Sequence, residues 1–235
     1  MAASGCAAPG GDVMFHGCAG EAQAQVLLVP DDLPLPAAEG PGRALFVTGA
    51  YTGRDTRPSG APAPVGVAVS RGRVVGRDLA RMDGILIVGP DGALGLHRRD
   101  AVPFEGGRYD LTVPDERMAF LEAAAEAGAS VLQSHLLVID GRVDTRPVED
   151  APSARRRVLY TKGEAFGVWE SDGAVTLDAA ARTLAAEIAP EMAFNLDMGG
   201  HDFCLDRENG VERACGVNRA DYAESLSTLL LLERP

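Results

Sequence analysis

Apolar and polar positions divide this chain into many short runs and two longer periodic ones. Val13–Phe15, Val26–Val29 and Ala44–Val47 have the length and composition of strands. The segment PDDLPLPAAEGPG between the last two carries repeated prolines, which cannot donate to a ladder, and reads as a loop. Thr48–Pro64 is dense in Gly, Pro, Thr and Arg and long for a structureless connection. Loops of that length in compact domains are usually functional or disordered. From Val65 onward, VGVAVSRGRVVG and GILIVGPDGALGLHR place turn residues between β-rich runs, and each predicts a hairpin. SVLQSHLLVIDGRV and RRVLYTKGEAFGVWESDGAVTL continue the pattern, and the tail AESLSTLLLLERP predicts a last strand.

Two segments have helical periodicity. Met118, Leu121 and Ala125 recur at helical spacing, with Asp115 as a cap and Gly128 as a stop. Leu177, Ala181, Leu184 and Ile188 form a second stripe, capped by Thr176 and ended by Pro190. The prediction is an α+β fold with many short β-strands in a mixed sheet and two main helices, about 115–128 and 177–189. One domain is expected over about 13–235, after a poorly ordered N-terminal segment over about 1–12. At 235 residues such a domain buries about 70–75% of the surface its unfolded chain exposes, so it needs no staple.

Charge narrows the partners. A formal net charge of −12 argues against nucleic acid and against an anionic membrane surface. It leaves room for a small anion held in a local arginine pocket. Lys162 is the only lysine, so the other side-chain cations are arginines, suited to bidentate contacts. The run Arg155–Arg157 is expected to be solvated. Four cysteines, Cys6, Cys18, Cys204 and Cys215, permit two disulfides without demanding them, and their spacing fits no metal knuckle. No run approaches the ~18–20 apolar residues of a membrane-spanning helix. The N-terminus lacks a basic-then-apolar leader, so a cytoplasmic location is expected. AASGC, Ala2–Cys6, loosely resembles the end of a lipoprotein signal and keeps export open as the alternative.

The candidate chemistry concentrates in MAFNLDMGGHDFC, Met192–Cys204, where an apolar run stops in polar and permissive residues. Asn195 and Asp197 share one face of a strand, with Leu196 opposite. That pattern places a crevice at the strand end, or else a carboxylate satisfying a turn. Gly199 and Gly200 permit a tight turn whose N–H groups can approach an anion. His201 can move protons near neutrality, ligate a metal with Asp197 and Asp202, or lie on the surface. His135 precedes an apolar strand and can face the same cleft, whereas His16 and His97 read as structural. Arg54 and Arg57 are candidates for gripping a phosphate, and Trp169 reads as core. GxSxG, HExxH and a nucleotide-binding glycine loop are absent, which disfavours serine hydrolase, zinc protease and P-loop chemistry.

The order LLVIDGRV, AFGVWESDGAVTL, a helix, then AFNLDMGG resembles the phosphodiester glycosidase family, which removes a sugar from a phosphodiester. In that family a strand ends in Asn-Leu-Asp-Gly-Gly-Gly-Ser, and upstream stands an Asn-Gly-Gly-Phe-Phe-like segment, here TGAYT, Thr48–Thr52. The specific match is Asn195–Gly200. Met198 replaces a glycine and His201 a serine; Thr48 and Ala50 depart upstream, and Gly163 and Glu164 stand where Arg and Thr are expected. The resemblance implies a small-molecule sugar-phosphate or nucleotide-sugar substrate, with Asp197 as acid or base and Glu164 and His201 assisting. It further implies substrate contacts from Asn195, Gly199, Gly200, Gly49, Tyr51, Arg54, Arg57 and His135. No cofactor is implied; the alternatives are a divalent metal on Asp197, His201 and Asp202, or a non-catalytic carbohydrate- or phosphate-binding protein.

Overall fold

The computed structural model describes residues 6, 9, 12–36, 42–54 and 60–235, with Arg54 and Ala220 described in backbone only. The structure is mostly β: 44% of it is strand and 15% helix. Three sheets form the body. The first orders its six strands Val13–Cys18, Ala165–Glu170, Arg157–Lys162, Met192–Asn195, Leu136–Ile139 and Arg142–Val143. The second runs Arg73–Gly76, Ala68–Ser70, Ser130–Ser134, Gly84–Val88 and Leu94–Arg98. The third runs Val211–Ala214, Cys204–Glu208, Arg43–Thr48, Thr228–Arg234 and Gln23–Leu28.

The expected mixed sheet is corrected here, because the strands within each sheet pair antiparallel. Much of the pairing follows from the short turns. In Arg157–Lys162 and Ala165–Glu170 a two-residue connection at Gly163-Glu164 brings the chain straight back. Such a turn cannot make the crossover a parallel pair requires.

The inner faces of all three sheets meet in one apolar cluster that includes Phe15, Val26, Leu45, Leu86, Leu132, Leu159, Phe194 and Leu230. Each outer face has its own cover. The helix Pro114–Glu126 seats Phe120, Leu121 and Ala124 against Val69, Ile85 and Val131. The helix Leu177–Glu187 seats Ala180, Ala181 and Leu184 against Leu137, Val158 and Trp169. Leu33, Leu35 and Tyr222 cover Phe46 and Leu229 of the third sheet. Double coverage explains why the terminal strand is a continuous leucine run without alternation: Thr228–Leu232 are buried whichever face they point to.

Both helices lie where periodicity placed them. Thr176 caps the second as expected, its side chain accepting the Ala179 N–H at 3.1 Å. The first is not capped by Asp115: its N-cap is Val113 without a side-chain bond, and Pro114 opens the first turn. Proline suits that position because its missing N–H would be unpaired there anyway. Lys162 donates to the Ile188 carbonyl at 2.7 Å and so closes the second helix's C-terminus. The expectation for residues 1–12 falls largely outside the described residues.

Candidate active site

The strand Met192–Asn195 ends where the first and third sheets meet. Asn195 N–H donates to the His135 carbonyl, Leu196 N–H to Arg157 and Asp197 N–H to Gly49, at 2.9, 3.0 and 3.0 Å. Three consecutive residues therefore gather three separate segments, which brings Tyr51, His135 and the Arg156–Arg157 pair to one place. Gly49 has a packing reason to be glycine. A Cβ there would lie 2.7 Å from Thr228 Oγ1, the atom that accepts the Ala50 N–H at 3.0 Å.

Asn195 and Asp197 both reach the segment Tyr51–Thr52. Asn195 Nδ2 donates to the Tyr51 hydroxyl at 2.7 Å and to the Leu196 carbonyl at 3.0 Å. The carbonyl can only accept, so it fixes the amide's orientation. Asn195 Oδ1 is buried and has no hydrogen-bond partner among the described residues. Asp197 is only 4% exposed; its Oδ2 accepts the Thr52 N–H and its Oδ1 the Met198 N–H, both at 2.9 Å. Burial raises its pKa above the ordinary carboxylate value, against the pull of these N–H groups and of His201. Burial and the Asp197 charge push Tyr51 up to about 12, while Arg156 and the Asn195 bond oppose the rise. His135 stands edge-on to Tyr51 with ring centroids 6.0 Å apart, and burial lowers its pKa against the raising effect of Asp83.

Beyond Asp197, Gly199–His201 makes a single 3-10 turn. Gly199 adopts φ +74°, and both glycines are exposed, with open space where side chains would stand. His201 is half-buried, its Nδ1 3.3 Å from the Tyr222 hydroxyl. Its carbonyl accepts from Thr48 Oγ1 at 2.6 Å. Asp202 is turned away to a different partner: Arg157 Nη2 donates to its Oδ1 at 3.1 Å and also binds Glu170. Among the described residues no three His, Cys, Asp or Glu side chains are grouped to hold a metal ion.

Glu164 is not brought to this site. It occupies the exposed hairpin turn after Lys162, at the Met192 end of the strand pair, whereas Val158, opposite Asn195, lies at the other end. The pattern AFGVWE places the strand one residue after Glu164, and the turn takes the carboxylate to solvent. Arg57 lies outside the described residues; Arg54 closes the short strand Thr52–Arg54, with its side chain outside them as well.

The site also contains residues that the sequence reading passed over. Arg156 and Arg157 are buried, at 9% and 0% exposure, and only Arg155 is exposed. The run precedes the apolar strand Val158–Tyr160, so alternation alone would have sent neighbouring arginines to opposite faces. A cavity of about 750 Å³ opens beside Tyr51 and His135, with Arg156, Arg99 and Asp83 in its wall. Two disulfides, Cys6–Cys18 and Cys204–Cys215, are formed. They point to an oxidising environment and weigh against the cytoplasmic expectation, because such bonds persist in oxidising compartments. Among the described residues no helix is long and apolar enough to cross a membrane.

The sequence matches no protein-family model and no curated protein. The fold is similar to those of several solved structures. One is the catalytic domain of zebrafish N-acetylglucosamine-1-phosphodiester alpha-N-acetylglucosaminidase, auto-inhibited by its pro-peptide. It is 15% identical over 89% of this chain and 72% of that chain, with a TM-score of 0.47. Another is a hypothetical protein from Synechocystis, 12% identical over 92% of this chain, with a TM-score of 0.50. This chain spans 57% of the Synechocystis protein. At these identities the likeness concerns the fold alone.

Proposed function

We propose that the protein is a hydrolase acting on a sugar–phosphate bond, in a phosphodiester or a nucleotide sugar, with Asp197 as the acid or base. The observation that carries this reading is the placement of Asp197: a nearly buried carboxyl with a raised pKa, at a strand end beside Tyr51, which lines a cavity walled by four arginines. The Asn195–Gly200 resemblance supports the same assignment.

A phosphate ester leaves a sugar as a stabilised anion. The step therefore gains more from a base for the attacking water than from an acid for the leaving oxygen. A carboxylate with a raised pKa is a stronger base than an ordinary one. Each Asp197 oxygen accepts one backbone N–H and keeps a lone pair for that water. His201 tunes Asp197 through its charge, and the Gly199–Gly200 amides are open to an anion. Asn195 holds the Tyr51 hydroxyl by donating to it, which leaves the Tyr51 O–H free to donate to the substrate. Glu164 takes no part, given its distance along the sheet. The two disulfides support an exported location.

The test is sugar release from a panel of sugar-1-phosphodiesters and nucleotide sugars, with Asp197→Asn run beside the wild type and both melted. Turnover that falls by about 10²–10⁴ in a folded variant is expected. Saturable binding of a panel member without turnover would make the protein a binding module instead.

A further inference from the structure

Arg156 and Arg157 are adjacent, both buried, and electrostatically unlike. Arg157 meets two carboxylates, Glu170 and Asp202. Arg156 meets neutral carbonyls: its Nε donates to Val175 O at 3.1 Å and its Nη2 to Pro152 O at 2.8 Å. Among the described residues no carboxylate pairs with it. A guanidinium has five N–H donors in a planar fork, and most of those on Arg156 are uncommitted. Burying a cation without a counter-charge is costly, and burial accordingly depresses its pKa, with Tyr51 as the opposing influence.

The cavity around it is charged against the trend of the chain. Four arginines line it, Arg81, Arg99, Arg146 and Arg156, against Asp83, Asp144 and Asp178, in a protein of net charge −12. One of those aspartates is already engaged, since Asp178 accepts from its neighbour in the wall, Thr145 Oγ1, and binds Arg182 outside the cavity. Arg99 is fixed, its Nη1 donating to the Ala80 and Met82 carbonyls at 3.1 and 2.9 Å. A planar carboxylate is satisfied by one arginine fork, whereas a tetrahedral oxyanion takes donors from several directions. The volume of about 750 Å³ exceeds what a bare anion fills and leaves room for an ester group.

We infer that this cavity is the subsite for the phosphoryl group of a phosphate ester, with Arg156 as its principal cation and the Tyr51 hydroxyl as a further donor. The subsite rests on the proposed hydrolase reading only for its purpose, since phosphate binding is measurable without turnover.

The experiment titrates inorganic phosphate, methyl phosphate and acetate into the wild type, Arg156→Gln, Arg156→Lys and Asp197→Asn, by calorimetry, with a thermal melt of each. The expected result is saturable phosphate and methyl phosphate binding to wild type and to Asp197→Asn. A loss of at least tenfold is expected in Arg156→Gln, with a smaller loss in Arg156→Lys. Amide resonances of the wild type provide a readout that needs no variant: methyl phosphate should move those of Tyr51, His135 and Arg156. Three results overturn the subsite: no saturable phosphate binding, acetate binding as tightly as phosphate, or resonance changes confined to other regions. Phosphate binding through Arg156 without sugar release sinks the hydrolase reading alone; sugar release with Arg156→Gln unaffected sinks the subsite alone.

Discussion

Asp197 Oδ2 accepts the backbone N–H of Thr52 across two sheets, at 2.9 Å, and Thr52 is itself held by Ser227, whose N–H donates to Thr52 Oγ1 at 3.1 Å. The carboxyl is thus fixed by a donor that cannot turn away. Its pKa is nevertheless raised from 3.8, because burial outweighs the two N–H bonds. The sign of the linkage follows. Above pH 3.8 the folded chain keeps a proton that the unfolded chain releases, so stability from this group is fullest at low pH. It declines as pH rises through the native pKa. Asp197→Asn should flatten that part of the stability–pH curve measured by urea unfolding. An unchanged slope would show that the native carboxyl titrates like an exposed one.

The buried group of Arg157, Glu170 and Asp202 makes a second prediction. Removing one partner from such a group leaves buried charge uncompensated and costs about 3–5 kcal/mol. Arg157→Met leaves Asp202 without its cation, and Glu170 with only the exposed Arg155 at 3.0 Å, beneath the turn that carries His201. Urea unfolding should show that loss, and Arg157→Met/Glu170→Gln/Asp202→Asn should recover a large part of it. A triple variant no more stable than the single one would mean that packing around Arg157, rather than charge, holds the turn.

Much of this arrangement could be read from the sequence where the signal is local. Thr176, Pro190 and the apolar stripe between them define a helix by capping and periodicity alone. The strand that stops at Asn195 is visible because an apolar run gives way to alternating polar residues. The partners of that strand end are a different matter. Gly49, His135 and Arg157 reach it through hydrogen bonds spanning distant parts of the chain, and no local pattern encodes that meeting. The arginine run was misleading for a related reason. Three adjacent cations look solvated, but Arg157 is neutralised by residues 13 and 45 positions away, and its burial depends on them. Glu164 failed on register: a shift of one residue at a strand end moves a side chain from ladder to turn.

The Cys204–Cys215 disulfide closes an 11-residue separation next to the site. It sets Asn218 so that its Nδ2 donates to Gly200 O at 3.0 Å and its N–H to Asp202 O at 3.0 Å. Closing a loop of this size is worth about 2–3 kcal/mol. The Cys204→Ser/Cys215→Ser variant should lose that amount in urea unfolding. If the disulfide's restraint reaches the glycine turn, amide exchange at Gly199 and Gly200 should accelerate in the same variant. Exchange unchanged in a destabilised variant would confine the disulfide's role to the third sheet.

Gln133 is fully buried and ties Val67 to the segment that forms one cavity wall. Its Oε1 accepts from Val67 and Ala80 N–H at 3.1 and 3.0 Å; its Nε2 donates to Ala80 and Met82 O at 3.1 and 2.6 Å. The next residue, Asp83, accepts the Leu136 N–H at 3.0 Å, which locks the segment bearing Arg81 and Asp83 against the sheet. Gln133→Leu conserves the volume but removes all four contacts; the Ala80 and Met82 carbonyls keep Arg99, so the Val67 and Ala80 N–H groups are left unpaired, at about 1–3 kcal/mol each. The expected loss is therefore about 2 kcal/mol or more. Methyl phosphate affinity should fall together with it, although Gln133 is too deep to touch a ligand. If the variant loses stability but binds methyl phosphate unchanged, the 80–83 segment does not shape the anion subsite, and Arg156 with Tyr51 would form it alone.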